Sequence, residues 1–462
     1  MDYFELRSIV SKIIPRLAVF EKSRLSKSKE KGRKKNYHQF NFETGQWDLQ
    51  QRNLNENEIQ SFIEISLRSQ ACPMSLNLDT VDGLICKFAC KYCFANSFRS
   101  SLYTAFFDNS KDIGLRWANP KVIIPELDKL MKLRGSKNES LIDVQKAVAL
   151  EMPIRFGIRF EDFLWDEKEK GVALEVLRYL SSQEYPVMIN TKSDLVADDD
   201  YVESLASNKA GSAVHITMIS SDPVFNRRME SGAPTFEERI KAAKILSDAG
   251  VRVVARIEPF MVFLNDEKEE VDRYIAEIKD AGIKHITFDT YSYSAYSPTI
   301  RKNIVAIGYD FDRMFTLMSD AQWLGSLLLG KFMEYMREQG FSCSTFDQGN
   351  APSNDDDICC SVGDLFTGFC YGNSMSAIRY IVSRKGKPTS WHDFHSFVMN
   401  KGGFLSPSLE GEVHGLWNII GNNAYSIDWA QGLTPVGSDD GGLVWTYKKD
   451  HDFRMDMLNS II

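Results

Sequence analysis

Cys86, Cys90 and Cys93 stand in the segment LICKFACKYCFAN with the spacing C-x3-C-x2-C. Three thiolates within eight residues can wrap one face of a small metal assembly. Cysteine thiolates are the standard ligands of a [4Fe–4S] cluster. Three ligands for four irons leave one iron open to a small molecule, as a catalytic zinc keeps an open position. The competing reading is a structural zinc, which needs a fourth ligand close by. Cys72 is the nearest candidate and is otherwise read as structural.

Two further groups carry potential chemistry. Cys343, Cys359, Cys360 and Cys370 fall within 28 residues. Four thiolates are enough for a second Fe–S cluster or a tetrahedral zinc. Alternatively one of them is an accessible hydrogen-donating thiol, or all are buried as small apolar residues. His392 and His395 share a helix face, which reads as a near-surface pair rather than a metal site. Residues 22–35 hold Lys22, Arg24, Lys27, Lys29, Lys31, Arg33, Lys34 and Lys35 against Glu30 alone. The plain reading is a solvated tail. The sharper one is a nucleic-acid arm, with Lys27, Lys29, Lys31, Arg33, Lys34 and Lys35 on phosphates.

The elements that must position these residues are legible from patterning. The chain has 462 residues, 43% hydrophobic and 26% charged, enough for a large core and more than one domain. Its net charge of −8 divides into +7 over residues 22–35 and −15 elsewhere, which excludes a uniformly basic nucleic-acid binder. Eight cysteines are too few for a disulfide-built secreted scaffold. No apolar run is long enough to span a membrane, and the N-terminus does not read as a secretory signal. Cytoplasmic localisation is expected. Short apolar runs at 84–86, 154–158, 187–191, 214–218, 251–257 and 285–290 predict strands. Amphipathic helices separate them. One opens with Thr235 and Glu238 as a capping box and ends at Gly250. The alternation predicts an α/β fold, a partial (β/α)6 TIM-like barrel whose site lies at the C-terminal strand ends.

The expected organisation is a basic arm at 1–40, then a barrel at 41–320 with a helical insertion at 104–150. A Cys-rich segment at 321–372 and a mixed, mainly α accessory domain at 373–462 follow. The last contains helices and a hairpin-like stretch at 437–448, read as winged-helix-like.

With Tyr92 before its last cysteine, the loop resembles that of the radical S-adenosylmethionine (SAM) superfamily. Residues 154–266 resemble the spore photoproduct lyase and DNA repair photolyase-like branch. The residues carrying this are Gly157, Glu161, Phe163 and Glu167, then Thr191-Lys192-Ser193 at the third strand end. Asp222-Pro223, Arg227-Arg228-Met229-Glu230, Pro234-Thr235, Pro259 and Asn265-Asp266 complete the order. No Gly-Gly-Glu-Pro segment follows the loop. The resemblance implies a [4Fe–4S] cluster on Cys86, Cys90 and Cys93. It also implies SAM contacts from Tyr92, Lys192, Thr217, Glu230 and Arg256. Reductive SAM cleavage would give a 5′-deoxyadenosyl radical, with an electron donor such as flavodoxin or ferredoxin as partner.

Spore photoproduct lyase has a hydrogen-donating cysteine some tens of residues after its loop. Here none occurs between Cys93 and Cys343, and Tyr291 or Tyr293 are possible substitutes. The branch, the basic arm and the basic residues Arg379, Arg384, Lys385 and Lys387 point to a nucleic-acid substrate. The alternatives are a peptide- or protein-modifying radical enzyme with an auxiliary cluster, and a non-catalytic zinc-stabilised nucleic-acid-binding protein.

Overall fold

The computed structural model describes residues 1–17, 38–41, 46–49, 66–67, 76–82, 86–93, 115–138, 140–158, 160–290, 305–306, 322–345, 360–362, 371–372, 374–384, 386–400, 402–405, 415–418, 433–447 and 458–459. The basic stretch 22–35, Cys72, Cys359, Cys370, Tyr291, Tyr293 and Lys385 lie outside the described residues.

Seven parallel strands form the body of the main sheet. They are β1 (Leu76–Asn77), β2 (Ile154–Phe156), β3 (Val187–Thr191), β4 (Ser212–Thr217), β5 (Arg252–Phe260), β6 (His285–Thr290) and β7 (Ser342–Thr345). Each pairs with its sequence neighbours, and Ser66–Leu67 adds antiparallel to β1 at the edge. β1 and β7 are not paired with each other, so the described strands form an open barrel.

Helix α1 (Tyr3–Leu17) precedes the sheet. Helices α2 (Pro120–Met131) and α3 (Asp143–Ala149) lie between β1 and β2. Then α4 (Val172–Ser182) leads to β3, and α5 (Asp199–Ala206) to β4. Both α6 (Pro223–Met229) and α7 (Phe236–Asp248) precede β5. Finally α8 (Lys268–Asp280) leads to β6, and α9 (Gln322–Glu338) to β7. Thr235 and Glu238 form the expected capping box, each side chain on the other's backbone N–H at 3.2 and 2.7 Å.

Strand alternation gives the sheet two unlike faces. Ile154, Phe156, Val187, Ile189, Val214, Ile216, Ala255, Ile286 and Phe288 face the helices and build the main core. The opposite, concave face carries Arg155, Asn190, His215, Thr217, Thr287 and Ser344, all buried. A parallel sheet covered on both sides normally reads as continuous apolar strands. A polar inner face therefore marks the working side. Register aligns Asn190 with His215, His215 with Val254, and Val254 with His285. Thr217, Arg256, Thr287 and Ser344 form the next row.

The fold departs from the sequence reading in three places. The first parallel strand among the described residues is Leu76–Asn77, which lay outside the expected set; of the expected strand at 84–86 only Cys86 is described, and it lies in no strand. After β1 the chain is turned aside by Asp162, which accepts from Thr80 N at 2.7 Å and Thr80 Oγ1 at 2.8 Å. Val81–Asp82 then pairs antiparallel with Arg116–Trp117. A seventh strand, β7, extends the barrel past residue 320 and takes Cys343 into the sheet. Finally, residues 3–17 of the expected arm form a helix docked on the main core. Tyr3, Leu6, Val10 and Ile13 are buried there, and Arg7 pairs with Asp266 at 2.9 Å. Their helical spacing makes one apolar stripe, which demands a partner surface.

The C-terminal region has its own core, built from Trp391, Phe394, Leu405, Trp417 and Trp445. It runs α10 (Ser374–Ser383), α11 (Trp391–Asn400), α12 (Gly415–Asn418) and the hairpin β8 (Leu433–Asp439) to β9 (Gly442–Tyr447). Thr389, between α10 and α11, bridges antiparallel to Trp445 of β9. Phe394 stacks on Trp417 with centroids 5.8 Å apart.

Candidate cluster and cofactor site

The loop of residues 86–93 contains two tight turns. Ala89 N donates to Cys86 O at 3.1 Å, and Cys93 N to Cys90 O at 3.3 Å. Cys90 is buried, while Cys86 and Cys93 are half-buried. All three pack with Phe160, Ile219, Met229 and Met261 in a second small core. Phe160 follows β2, Ile219 follows β4 and Met261 follows β5. The loop therefore sits over the C-terminal strand ends, where the barrel reading put the site.

Two structures grip this loop. On one side is the end of α6. Lys91 N donates to Met229 O at 2.8 Å, and Gly232 N to Phe88 O at 3.1 Å. A Cβ on Gly232 would overlap the Lys87 carbonyl oxygen, so only glycine allows this approach. On the other side, Lys87 pairs with Asp166 and Phe88 meets Trp165 edge-on at 5.5 Å.

Lys192 is the cation beside the loop. Its Nζ lies 5.5 Å from the Tyr92 ring centroid, and its charge acts on Cys90, Glu161 and Glu258. Glu161 sets its backbone, accepting from Thr191 Oγ1 at 2.6 Å and from Lys192 N at 2.9 Å. Burial pushes the Glu161 carboxyl up, against these hydrogen bonds. Burial also pushes the Cys90 thiol up, and Lys192 opposes that shift.

Thr217 and Arg256 are aligned across β4 and β5 on the concave face. Arg256 is paired with Glu258, which also accepts from Thr287 Oγ1 at 2.8 Å. Burial alone would raise Glu258, but Arg256, Thr287 and Lys192 outweigh it and hold it below its ordinary value. One strand row further in, His215 is 2% exposed, and its Nε2 has no hydrogen-bond partner. Burial, with Arg256, His285 and Arg155 near it, pushes its pKa well down, so the imidazole is neutral.

Glu230, expected among the SAM contacts, is placed differently. It is 2% exposed, accepts from Tyr92 Oη, and pairs with Arg239 at 2.6 Å. Arg239 in turn donates to Thr217 O at 2.8 Å. The carboxylate is thus taken up inside the protein. Arg227 and Arg228 are exposed on α6.

The second cysteine group is divided. Cys343 on β7 faces the helices and joins the main core, where burial pushes its thiol up to about 12. Cys360 is buried within electrostatic reach of Arg256, which stands on the concave face. His392 is exposed and paired with Asp440 at 2.9 Å, while His395 lies against Trp391.

Sequence reading placed Glu161 among the residues of the resemblance without giving it a role, and missed His215, Arg239 and Glu258. Only Glu258 left a trace, two residues after Arg256 on the same strand face. The others are defined by partners distant in the chain.

Among the described residues, His392, Asp439 and Asp440 form the one trio whose ligand atoms all lie within 4.8 Å of one another. The three loop sulfurs do not all lie within that distance of one another. Tetrahedral bonds of about 2.3 Å to a single zinc would hold sulfurs roughly 3.8 Å apart. The three thiols with Lys192 nearby fit an iron–sulfur cluster.

Residues 81–275 match the radical SAM superfamily model. Uncharacterized proteins of Mycobacterium tuberculosis and Mycobacterium bovis are 23% identical over 209 residues, 45% of this chain and 57% of theirs. The chain thus matches a little over half the length of these curated relatives. Among solved structures, Streptococcus suis SuiB bound to S-adenosylmethionine has a TM-score of 0.37 at 14% identity, over 60% of this chain and 51% of that one. A spore photoproduct lyase mutant has a TM-score of 0.41 at 12% identity, over 62% and 79%. The superfamily is one of enzymes, and it implies SAM and a [4Fe–4S] cluster as cofactors. This chain carries a radical SAM superfamily domain across residues 81–275, the stretch that holds Cys86, Cys90 and Cys93 and strands β2 to β5.

Proposed function

We propose that the protein cleaves SAM reductively and directs the resulting radical at a nucleic acid, repairing a lesion or modifying a base. The observation that carries the first part is the three-cysteine loop, mounted over the C-terminal ends of a polar-lined parallel barrel. When bound, the cluster supplies the electron that splits SAM into methionine and a 5′-deoxyadenosyl radical.

The chain's own residues bind and orient. Cys86, Cys90 and Cys93 hold the cluster. Lys192 offers an ammonium to the SAM carboxylate, a charge-assisted contact. Thr217 offers its hydroxyl, and Arg256, steadied by Glu258, presents a guanidinium edge to polar groups. The loop's own Phe88 and Tyr92 side chains, buried together with Met229 of α6, exclude water from its inner side.

Two features support a nucleic acid. One is the concentration of +7 in residues 22–35 on an otherwise acidic chain. The other is the C-terminal module, whose helices and hairpin follow a winged-helix order. A base would have to leave its stack to reach the barrel mouth. The test is 5′-deoxyadenosine formation by the reconstituted enzyme with duplex DNA, single-stranded DNA, RNA or short peptides added. Stimulation by a nucleic acid is expected. Stimulation by peptide alone would transfer the enzyme to the protein-modifying class.

A further inference from the structure

Tyr92 lies between two cluster cysteines, yet its hydroxyl is turned inward to Glu230. Glu230 stands just past α6, where the backbone of Met229 and Gly232 already holds the loop. Its other oxygen pairs with Arg239 on α7, at 2.6 Å, and both side chains are at most 2% exposed. Arg239 is tied to the end of β4 through Thr217 O. Loop, helix and strand end are thus joined through one buried acid–base pair. Both charges act on Cys90.

A buried ion pair is costly to assemble, and a packed apolar pair would often be at least as stable. Here its two members meet the cluster loop on one side and a strand of the barrel on the other. We propose that Tyr92, Glu230 and Arg239 form a positioning relay that fixes the cluster loop on the barrel, and that the Glu230–Arg239 pair balances the electrostatic field at the cluster. The proposal rests on the radical SAM reading of the loop and goes beyond it. Glu230 becomes a positioning residue rather than a SAM ligand, and the Tyr92 hydroxyl becomes an anchor.

The two charges oppose each other, so their removal has opposite signs. Glu230→Gln leaves Arg239 uncompensated and is expected to raise the cluster's reduction potential. Arg239→Gln leaves Glu230 uncompensated and is expected to lower it. The double variant should return near the wild-type value. Tyr92→Phe removes only the anchor. Since a hydrogen bond to a charged group is lost, iron release to a chelator should be about ten-fold faster than in wild type. Tyr185→Phe is the control, because it loses a buried hydrogen bond to Met152 O far from the loop.

The experiment is anaerobic reconstitution of full-length protein with iron and sulfide. It is followed by potentiometric titration and chelator-driven iron release. Should a single charge variant fail to fold, Tyr92→Phe and the double variant still decide the matter. Potentials that stay put or move the same way, with Tyr92→Phe releasing iron like Tyr185→Phe, would overturn the relay alone. A wild type that takes up zinc and no iron would overturn both the relay and the function on which it rests.

Discussion

Asp162 accepts hydrogen bonds from Thr80 N, Thr80 Oγ1, Val81 N and Gly157 N, with no exposed surface of its own. It ties the segment leading to the cluster loop to the end of β2. Gly157 can donate there because it carries no side chain. A Cβ would overlap the Asn190 carbonyl oxygen, and the residue has φ of 74°. Gly157→Ala should therefore cost about 3 kcal/mol or more in denaturant unfolding. Glu167 shows a different kind of burial. It accepts from Val172 N at 3.1 Å and Leu174 N at 3.0 Å at the start of α4. Burial, only partly offset by these bonds, pushes its carboxyl from 4.5 up to about 7. The native state then holds a proton that the unfolded chain has lost. Its contribution is full below about pH 4.5 and is lost as pH rises through about 7, on the order of 3 kcal/mol. Glu167→Gln should flatten that decline in unfolding free energy measured across the same pH range. An unchanged slope would remove Glu167 as its source. At this scale the cysteines were legible because a cluster loop is local. Tyr92 and Glu230 are 138 residues apart, so no spacing rule could join them.

Helix α1 shows what element-level patterning can and cannot reveal. Its apolar residues recur at helical spacing, but the neighbouring basic run invites the reading of one continuous arm. The helix instead closes over α9 and β5. Tyr3 meets Phe332 at 4.9 Å, and Arg7 reaches Asp266. Leu6 is wholly buried, so Leu6→Ala should cost about 2–5 kcal/mol of stability, measured by chemical denaturation. A loss under about 0.5 kcal/mol would mean that the helix is not part of the folded unit. Strands β3 to β6 were readable because β-branched residues face the helices. β7 was not, because Ser342 and Ser344 bond His285 on the polar face at 2.7 and 2.8 Å, leaving little apolar signal in four residues. The sixth crossover was hidden for the same reason.

For the whole molecule, the α/β barrel and the placement of its site followed from regular alternation of strand and helix. The placing of Cys343 in the main core did not, since it depends on which face of β7 the residue takes. Among the described residues no helix is long and apolar enough to cross a membrane. The charge distribution carries its own prediction. Deleting residues 22–35 should make the salt dependence of nucleic-acid binding shallower by several units of log–log slope. An unchanged slope would leave that stretch without a role in binding. The central claim is that three cysteines hold a cluster that cleaves SAM. It is tested most directly by anaerobic reconstitution with iron counting and a 5′-deoxyadenosine assay, on wild type and Cys90→Ala together. The account predicts about four irons per chain and reductive SAM cleavage for wild type, with both lost in Cys90→Ala. Zinc without iron in the wild type, or undiminished cleavage in Cys90→Ala, would contradict it.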